Sequence, residues 1–300
     1  MSYVLTLVAS DEAHPITKSH IKEIGKIIDF YNLSFTAQPV WLAQTRAVDL
    51  GISDKAQGAL IAHLHEYLAA FKIDLFCNAV ERRRKKLLLA DMDSTIVSSE
   101  TLDELAAFAG IKDQVAEITR RAMEGQLDFH DALRERVKLL KGLGEDKLQE
   151  TLDATEINPG ARTLIRVMKA HNATCILVSG GFTFFTGAIA NELGFDHHFG
   201  NHLEIKDGQL TGQVMEPIQD KHAKLACLNR YVGELGIHTA DVITIGDGAN
   251  DLPMLKTAGL GIGYHAKQTV KDEIHNLIQY GDLSAALYAQ GYSSQQIGNV

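Results

Sequence analysis

From Tyr3 to Ala9 apolar and polar residues alternate, the period of a half-buried strand. Ile21, Ile24, Ile27 and Ile28 then recur at helical spacing within Ile16–Tyr31, which predicts an amphipathic helix. Phe35–Val48 is strand-like with a break at Pro39, and Asp54 stands where it would cap a second helix running to Phe71, with Leu60, Ile61, Leu64 and Leu68 inward. Ile73–Val80 reads as a further strand. These segments compose a small βαββαβ-type unit. Downstream, three short apolar runs each give way to polar or glycine residues: Leu87–Ala90 before Asp91, Thr174–Val178 before Ser179-Gly180-Gly181, and Asp241–Ile245 before Gly246-Asp247-Gly248. Helical patterns such as Ala161–Ala170 and Lys221–Leu235 lie between them, so the alternation predicts an α/β fold with a parallel sheet and crossover helices. Ligands of such sheets bind beyond the carboxyl ends of the strands. All three polar clusters are therefore expected at one edge.

Asp91 and Ser179 stand 88 positions apart (179 minus 91), against about 30 residues for one strand–helix–strand crossover. The excess predicts an insertion, and residues of about 100–158 are helical in pattern and highly charged. We read them as a helical cap, with Asn158-Pro159-Gly160 marking the return to the core. Asp207-Gly208, between Leu203–Ile205 and Leu210–Val214, is a strong hairpin turn signal, read as structural only. The basic run Arg82 to Lys86 is read as a solvated junction. The expected division is a unit of residues 1–82 followed by residues 83–300.

Composition narrows the function. A chain of 300 residues suggests about two domains, and a net charge of −9 argues against a nucleic-acid partner. Cys77, Cys175 and Cys227 are widely spaced without a CxxC pair, which indicates neither a disulfide framework nor zinc and fits a cytoplasmic location. Tyr3–Val8 is too short and too alternating for a signal peptide, and no stretch approaches the roughly 18 apolar residues of a membrane span.

The chemistry begins at Asp91-Met92-Asp93-Ser94-Thr95. Strand alternation places side chains two apart on the same side, so Asp91 and Asp93 are expected to share a face. Burial of both carboxylates requires a compensating cation or proton. Gly246-Asp247-Gly248-Ala249-Asn250-Asp251 adds two further carboxylates at the same edge, an oxygen-rich set suited to Mg²⁺. A dinucleotide-binding GxGxxG is a poor match, because Asp251 stands where the third glycine belongs. Ser179-Gly180-Gly181 offers a hydroxyl and open backbone N–H groups, expected at a helix start where anions bind. Lys221 and Lys224 are both candidates for a phosphate-binding lysine. In the cap, Arg120, Arg121, Arg134 and Arg136 are equal candidates for a carboxylate-binding arginine by spacing. The His63/His65 and His197-His198 pairs lack partners at ligand spacing and stay outside the expected site. Together these groups form a kit for phosphoryl transfer through an aspartyl-phosphate.

In order, DMDST, Ser179-Gly180-Gly181, Lys224 and the GDGAND run from Gly246 resemble the four motifs of the haloacid-dehalogenase phosphatase superfamily. With Glu100, the run from Arg136 to Gly142, and Val178 to Thr183, the likeness narrows to the phosphoserine phosphatases and extends from about Lys85 to Tyr288. The resemblance implies a Rossmann-like core with an inserted cap, and loosely an ACT/ferredoxin-like N-terminal domain. It implies hydrolysis of O-phospho-L-serine to L-serine and phosphate, the last step of serine biosynthesis. Asp91 would be the nucleophile and Asp93 the general acid and base. Mg²⁺ would lie on the Asp91 carboxylate, the Asp93 backbone carbonyl and the Asp247 carboxylate, with Asp251 supporting them. Ser179, the Gly180 N–H, Lys224 and Asn250 would hold the phosphoryl group. Lys224 precedes Asp247 by 23 positions (247 minus 224), as in the family, and this selects it over Lys221. Likewise Glu100 would bind the substrate ammonium and Arg136 its carboxylate, with Phe129 and Met123 as apolar walls. The alternatives are another small phosphomonoester such as phosphohomoserine, phosphoryl transfer to a second alcohol, or an amino-acid-sensing regulator. Exposed strand edges in the N-terminal unit suggest homodimerisation.

Overall fold

The computed structural model describes residues 2–123 and 126–300, with every side chain in those ranges except Ala122, Met123 and Lys221. The N-terminal unit comprises β1 (Tyr3–Ala9), α1 (Lys18–Phe30), β2 (Val40–Ala43), β3 (Ala47–Ile52), α2 (Gly58–Ala69) and β4 (Ile73–Ala79). The strand-like stretch through Pro39 and Val48 is thus a hairpin of two strands. Asp54 does not cap α2, whose N-cap is Gln57. The Asp54 carboxylate accepts instead from the N–H of Lys55.

The second part opens with β5 (Leu87–Ala90), followed by four cap helices, α3 (Thr101–Phe108), α4 (Lys112–Met123), α5 (Phe129–Leu139) and α6 (Asp146–Ala154). The chain returns through α7 (Ala161–Ala170), β6 (Thr174–Phe182), α8 (Thr183–Leu193), β7 (His197–Lys206) and β8 (Gln209–Met215). It continues with α9 (Lys221–Glu234), β9 (Val242–Gly246), α10 (Leu252–Thr257), β10 (Leu260–Tyr264), α11 (Gln268–Lys271) and β11 (Leu277–Ile278). Short helices α12 (Ala285–Ala289) and α13 (Ser294–Gly298) end the described fold.

One sheet of 11 strands runs through both parts in the order β2-β3-β1-β4-β11-β10-β9-β5-β6-β7-β8. The parallel register places Ala90 beside Leu177 of β6 and Ile245 of β9. Asp91, Ser179 and Asp247 therefore emerge at one edge, as the strand pattern predicts. The central strands read as continuous apolar runs because both faces are covered. Leu88, Ala90, Cys175, Leu177, Ile243 and Ile245 pack in the cluster that includes α7 and α8. Leu87, Leu89, Ile176, Val178 and Val242 pack on the other side with Leu228 and Tyr231 of α9 and Met254 of α10.

The hairpin turn at Asp207-Gly208 has positive φ at both residues, 52° and 73°, the conformation that favours this dipeptide. It also anchors the cap, since Leu210 exchanges backbone hydrogen bonds with Gly142 and Leu143, and Glu145 N–H donates to the Gly208 carbonyl.

Within the basic run Arg82, Arg84 and Lys86 are exposed, as a solvated junction predicts, but Arg83 and Lys85 turn inward and tie the two parts together. Arg83 makes two bonds to Asp49 (2.6 and 2.7 Å) and one to Thr6 Oγ1 (2.6 Å), and its Nε donates to the Ala289 carbonyl (2.9 Å). Lys85 Nζ donates to the carbonyls of Arg82 and Ala240, and burial lowers its pKa to about 8. The cause lies in β1, which carries apolar residues toward α1 and α2 on one face and Thr6 on the other, where α12 covers it. A buried guanidinium satisfies the polar groups stranded there. Asp74 of β4 likewise accepts N–H bonds from Gln279, Tyr280 and Gly281. Burial, partly offset by these donors, raises its pKa to about 6.

Replacing one member of a buried ion pair strands the other, at roughly 3–5 kcal/mol. Arg83→Ala should lower stability to chemical denaturation by about that amount, because Arg83 and Asp49 are only 13% and 12% exposed. A loss below about 0.5 kcal/mol, the range of ordinary surface substitutions, would contradict the tie.

Candidate active site

Beyond Ala90 the strand stops, and the residues after it depart from the alternation expected of Asp91 and Asp93. The Asp91 N–H still pairs with the Ile245 carbonyl at 3.0 Å. A wide turn over Met92–Ile96 then closes with Val97 N–H donating to the Met92 carbonyl. Ser94 sits at φ 55°, an uncommon conformation for a residue with a side chain. It is this turn, and not strand periodicity, that brings Asp93 to the same cavity as Asp91. Asn158, at the return from the cap, braces the turn through Nδ2 bonds to the Thr95 and Val97 carbonyls. Thr95 Oγ1 lies 3.5 Å from Asp247 Oδ1.

The two carboxylates have different surroundings. Asp91 Oδ1 accepts the Met92 N–H at 2.8 Å and faces Lys224 Nζ at 2.8 Å, leaving Oδ2 without a protein donor among the described residues. Burial, with the Asp251 charge behind it, pushes the Asp91 carboxyl well above its usual range against the pull of Lys224. Asp93 Oδ1 accepts both the N–H (2.8 Å) and the hydroxyl (2.7 Å) of Thr101, and Oδ2 accepts the Ser179 hydroxyl at 2.9 Å. Burial and the Glu100 charge raise its pKa, and the hydrogen bonds from Thr101 and Ser179 oppose the rise.

Ser179-Gly180-Gly181 does not open a helix. β6 continues through Phe182 and α8 starts at Thr183, so the three residues form the tip of a strand whose pairing with β7 shifts register after Val178. Ser179 Oγ accepts the Gly181 N–H at 2.8 Å. Asn201 holds the tip by donating to the Gly180 carbonyl. A Cβ on Gly181 would stand 2.8 Å from Asp93 Oδ2, so glycine there lets the strand tip approach the acid.

Lys224 reaches the floor from α9. Its ammonium lies 2.6 Å from Asp251 and 2.8 Å from Asp91, and it is 2% exposed. Burial opposes its charge, but the two carboxylates together hold it protonated above the usual lysine range. Asp251 spends both oxygens inside the protein, Oδ1 on Lys224 and Oδ2 on the N–H groups of Asp247 and Gly248. It therefore organises the loop, while Asp91 and Asp247 keep oxygens for a ligand. The Lys221 side chain, the alternative candidate, lies outside the described residues.

Asp91, Asp247 and Asp251 offer carboxylate oxygens within 4.8 Å of one another, the one such cluster of acidic, histidine or cysteine groups among the described residues. Buried oxygen donors of this kind fit a hard divalent cation. Burial also raises the Asp247 pKa, against the pull of Lys267. Cys175 and Cys227 are pushed by burial to about 12, so neither offers a thiolate.

A cavity of about 150 Å³ unites these groups with the cap. Asp91, Asp93, Ser179, Gly180, Asp247 and Asn250 line its core side, while Glu100, Phe129 and Arg136 line its cap side. Arg136 is partly buried on α5, where its Nε donates to the Ala132 carbonyl. Neither Arg120, Arg121 nor Arg134 lines this cavity. Arg134 instead pairs with Glu216 at 2.6 Å. The Met123 side chain, expected as a wall, lies outside the described residues. Two polar lining residues, Thr101 and Lys267, escaped the sequence reading. Lys267 lies 3.1 Å from Asp247 and 3.7 Å from Glu100; its signal was a fourth apolar run, Leu260–Tyr264, ending at the same edge. Thr101 comes directly after Glu100, but nothing in its spacing marks it.

The model of haloacid dehalogenase-like hydrolases matches residues 88–256. A phosphoserine phosphatase of Streptomyces coelicolor is 38% identical over 253 residues, covering 84% of this chain and 62% of that protein. The chain thus spans less than two thirds of that relative. A haloacid dehalogenase family hydrolase of Salmonella enterica serovar Typhi superposes with a TM-score of 0.86 at 30% identity, over 96% of this chain and 98% of that one. A phospho-aspartyl intermediate analogue of a phosphoserine phosphatase superposes with a TM-score of 0.64 at 40% identity, over 68% of this chain and 98% of that one. The family match spans more than half of the residues and the fold agrees along nearly all of them; the chain belongs to the haloacid dehalogenase-like hydrolases.

Proposed function

We propose that the chain is a cytoplasmic, Mg²⁺-dependent phosphoserine phosphatase that releases L-serine and phosphate through an aspartyl-phosphate, closing serine biosynthesis. The observation that carries this reading is one small cavity with Asp91, Asp93 and Asp247 on its floor and Glu100 and Arg136 on its cap side. A zwitterionic amino acid needs an anion for its ammonium and a planar cation for its carboxylate, and Glu100 and Arg136 supply them. The relative solved as a phospho-aspartyl intermediate analogue supports the covalent route.

The Asp91 and Asp247 carboxylates and the Asp93 backbone carbonyl would hold Mg²⁺, which supplies neutralisation of the charge between phosphate and carboxylates. Asp91 attacks phosphorus in line with the seryl oxygen, forming the aspartyl–phosphorus bond as the serine–phosphorus bond breaks. Asp93 gives its proton to the departing oxygen. In the second half it removes a proton from the water that attacks phosphorus and frees Asp91. Ser179, the Gly180 N–H and Asn250 hold phosphoryl oxygens, and Lys224 offsets charge on the same side. Lys224 also favours the ionised form of Asp91, against the burial that opposes it.

Asp91→Asn should keep the fold by circular dichroism and lose turnover of O-phospho-L-serine by roughly a thousandfold or more; near wild-type phosphate release would remove Asp91 as nucleophile. Chelation with EDTA should abolish turnover, and added Mg²⁺ should restore it. Activity indifferent to EDTA would refute the metal assignment. Arg136→Met should raise KM for phosphoserine about tenfold or more, the loss of one charged hydrogen-bonded pair, with little change for 4-nitrophenyl phosphate. Equal effects on both substrates, or faster turnover of phosphothreonine or phosphohomoserine by the wild type, would overturn the substrate assignment.

A further inference from the structure

Resting on that reading, we propose that Thr101 is a positioning residue that clamps Oδ1 of Asp93, so that Oδ2 is the oxygen that delivers and recovers the proton. Thr101 is the first residue of α3 and is 1% exposed. Its N–H and its hydroxyl both converge on Oδ1, at 2.8 and 2.7 Å. Branching at Cβ restricts the χ1 rotation that would release the hydroxyl.

Two donors on one carboxylate oxygen draw its electron density and leave the proton to the other oxygen. On Oδ2 the partner is the Ser179 hydroxyl at 2.9 Å, and Ser179 is also a phosphoryl ligand in the proposed reaction. Arrival of the phosphoryl group gives that hydroxyl a second acceptor, so Oδ2 can be released while Oδ1 stays held. The proton on Oδ2 then passes to the seryl oxygen as the phosphorus–oxygen bond breaks and its electron pair stays on that oxygen. Oδ2 later takes one proton from the attacking water, which restores the starting carboxyl. Because Thr101 is next to Glu100 in the chain, the same turn of the cap that binds the ammonium also aims the acid.

A purely structural role would be a cap, since Asp93 accepts from the first N–H of α3. The cap needs only the N–H, however, and the second bond from the hydroxyl adds orientation. The two roles separate by leaving group. Serine departs as an alkoxide that requires a proton, whereas 4-nitrophenolate departs without one, and kcat/KM reports the steps up to formation of the phospho-enzyme.

Thr101→Val should lower kcat/KM for O-phospho-L-serine about tenfold or more, a fraction of what a general acid contributes, and that for 4-nitrophenyl phosphate less than about twofold. Thr101→Ser should restore phosphoserine turnover to within about twofold of wild type. If the valine variant does not fold, Thr101→Ala is required to show the same contrast between substrates. Equal losses on both substrates, or failure of serine to rescue, overturn the positioning role. Asp93→Asn separates this from the underlying reading: if it too shows no leaving-group contrast, Asp93 is not the acid and the reading itself fails.

Discussion

Carboxylates crowded at the end of a parallel sheet repel one another and resist burial, and the architecture around them answers that constraint. Asp91 and Asp251 share one ammonium, at 2.8 and 2.6 Å. Asp247 meets Lys267 at 3.1 Å, and Asp93 is held by hydroxyl and N–H donors. Asp91 and Asp93 thus receive different compensation, and in a site of this kind different compensation means a different role. An acid beside an ammonium is suited to attack, whereas one surrounded by neutral donors can exchange a proton.

The remaining parts keep this arrangement fixed. Three neighbouring parallel strands set the register of the floor, and the left-handed turn at Ser94 brings Asp93 back over it. The cap rests on the β7–β8 hairpin through backbone bonds to Leu210 and Gly208. The N-terminal unit is continuous with the core through the antiparallel pairing of β4 with β11, reinforced by Arg83 and Asp74. Cys77 N–H also donates to Asn276, in the segment between Lys267 and β11. β4 of the N-terminal unit therefore contacts the segment that follows a lysine of the cavity.

What was legible in the sequence was what periodicity and composition encode. Apolar runs ending in Asp91, Ser179 and Asp247 disclosed the sheet edge, and the long interval between the first two disclosed the cap. Long-range burial was not legible. Arg83 looks like a solvated charge because nothing near it in sequence shows that α12 will cover Thr6 or that Asp49 will lie beside it. The strand tip at Ser179-Gly180-Gly181 looks like a helix start, since glycines mark both a turn and a close approach of backbone to a side chain. Thr101 left no trace at all: its role depends on where Asp93 is carried by a turn whose conformation no pattern announces. Arg136 was distinguished from its neighbours by family likeness and not by charge pattern, and the cavity lining separates the four.

The central claim is covalent: a phosphoryl group passes through the Asp91 side chain. The direct measurement is acid quenching of wild-type enzyme during turnover of O-phospho-L-serine with Mg²⁺, followed by peptide mass spectrometry. The account predicts an acyl-phosphate on the peptide that carries Asp91, lost on treatment with hydroxylamine. A phosphoryl group found on another residue, or full turnover with no labelled peptide at any quench time, would contradict it.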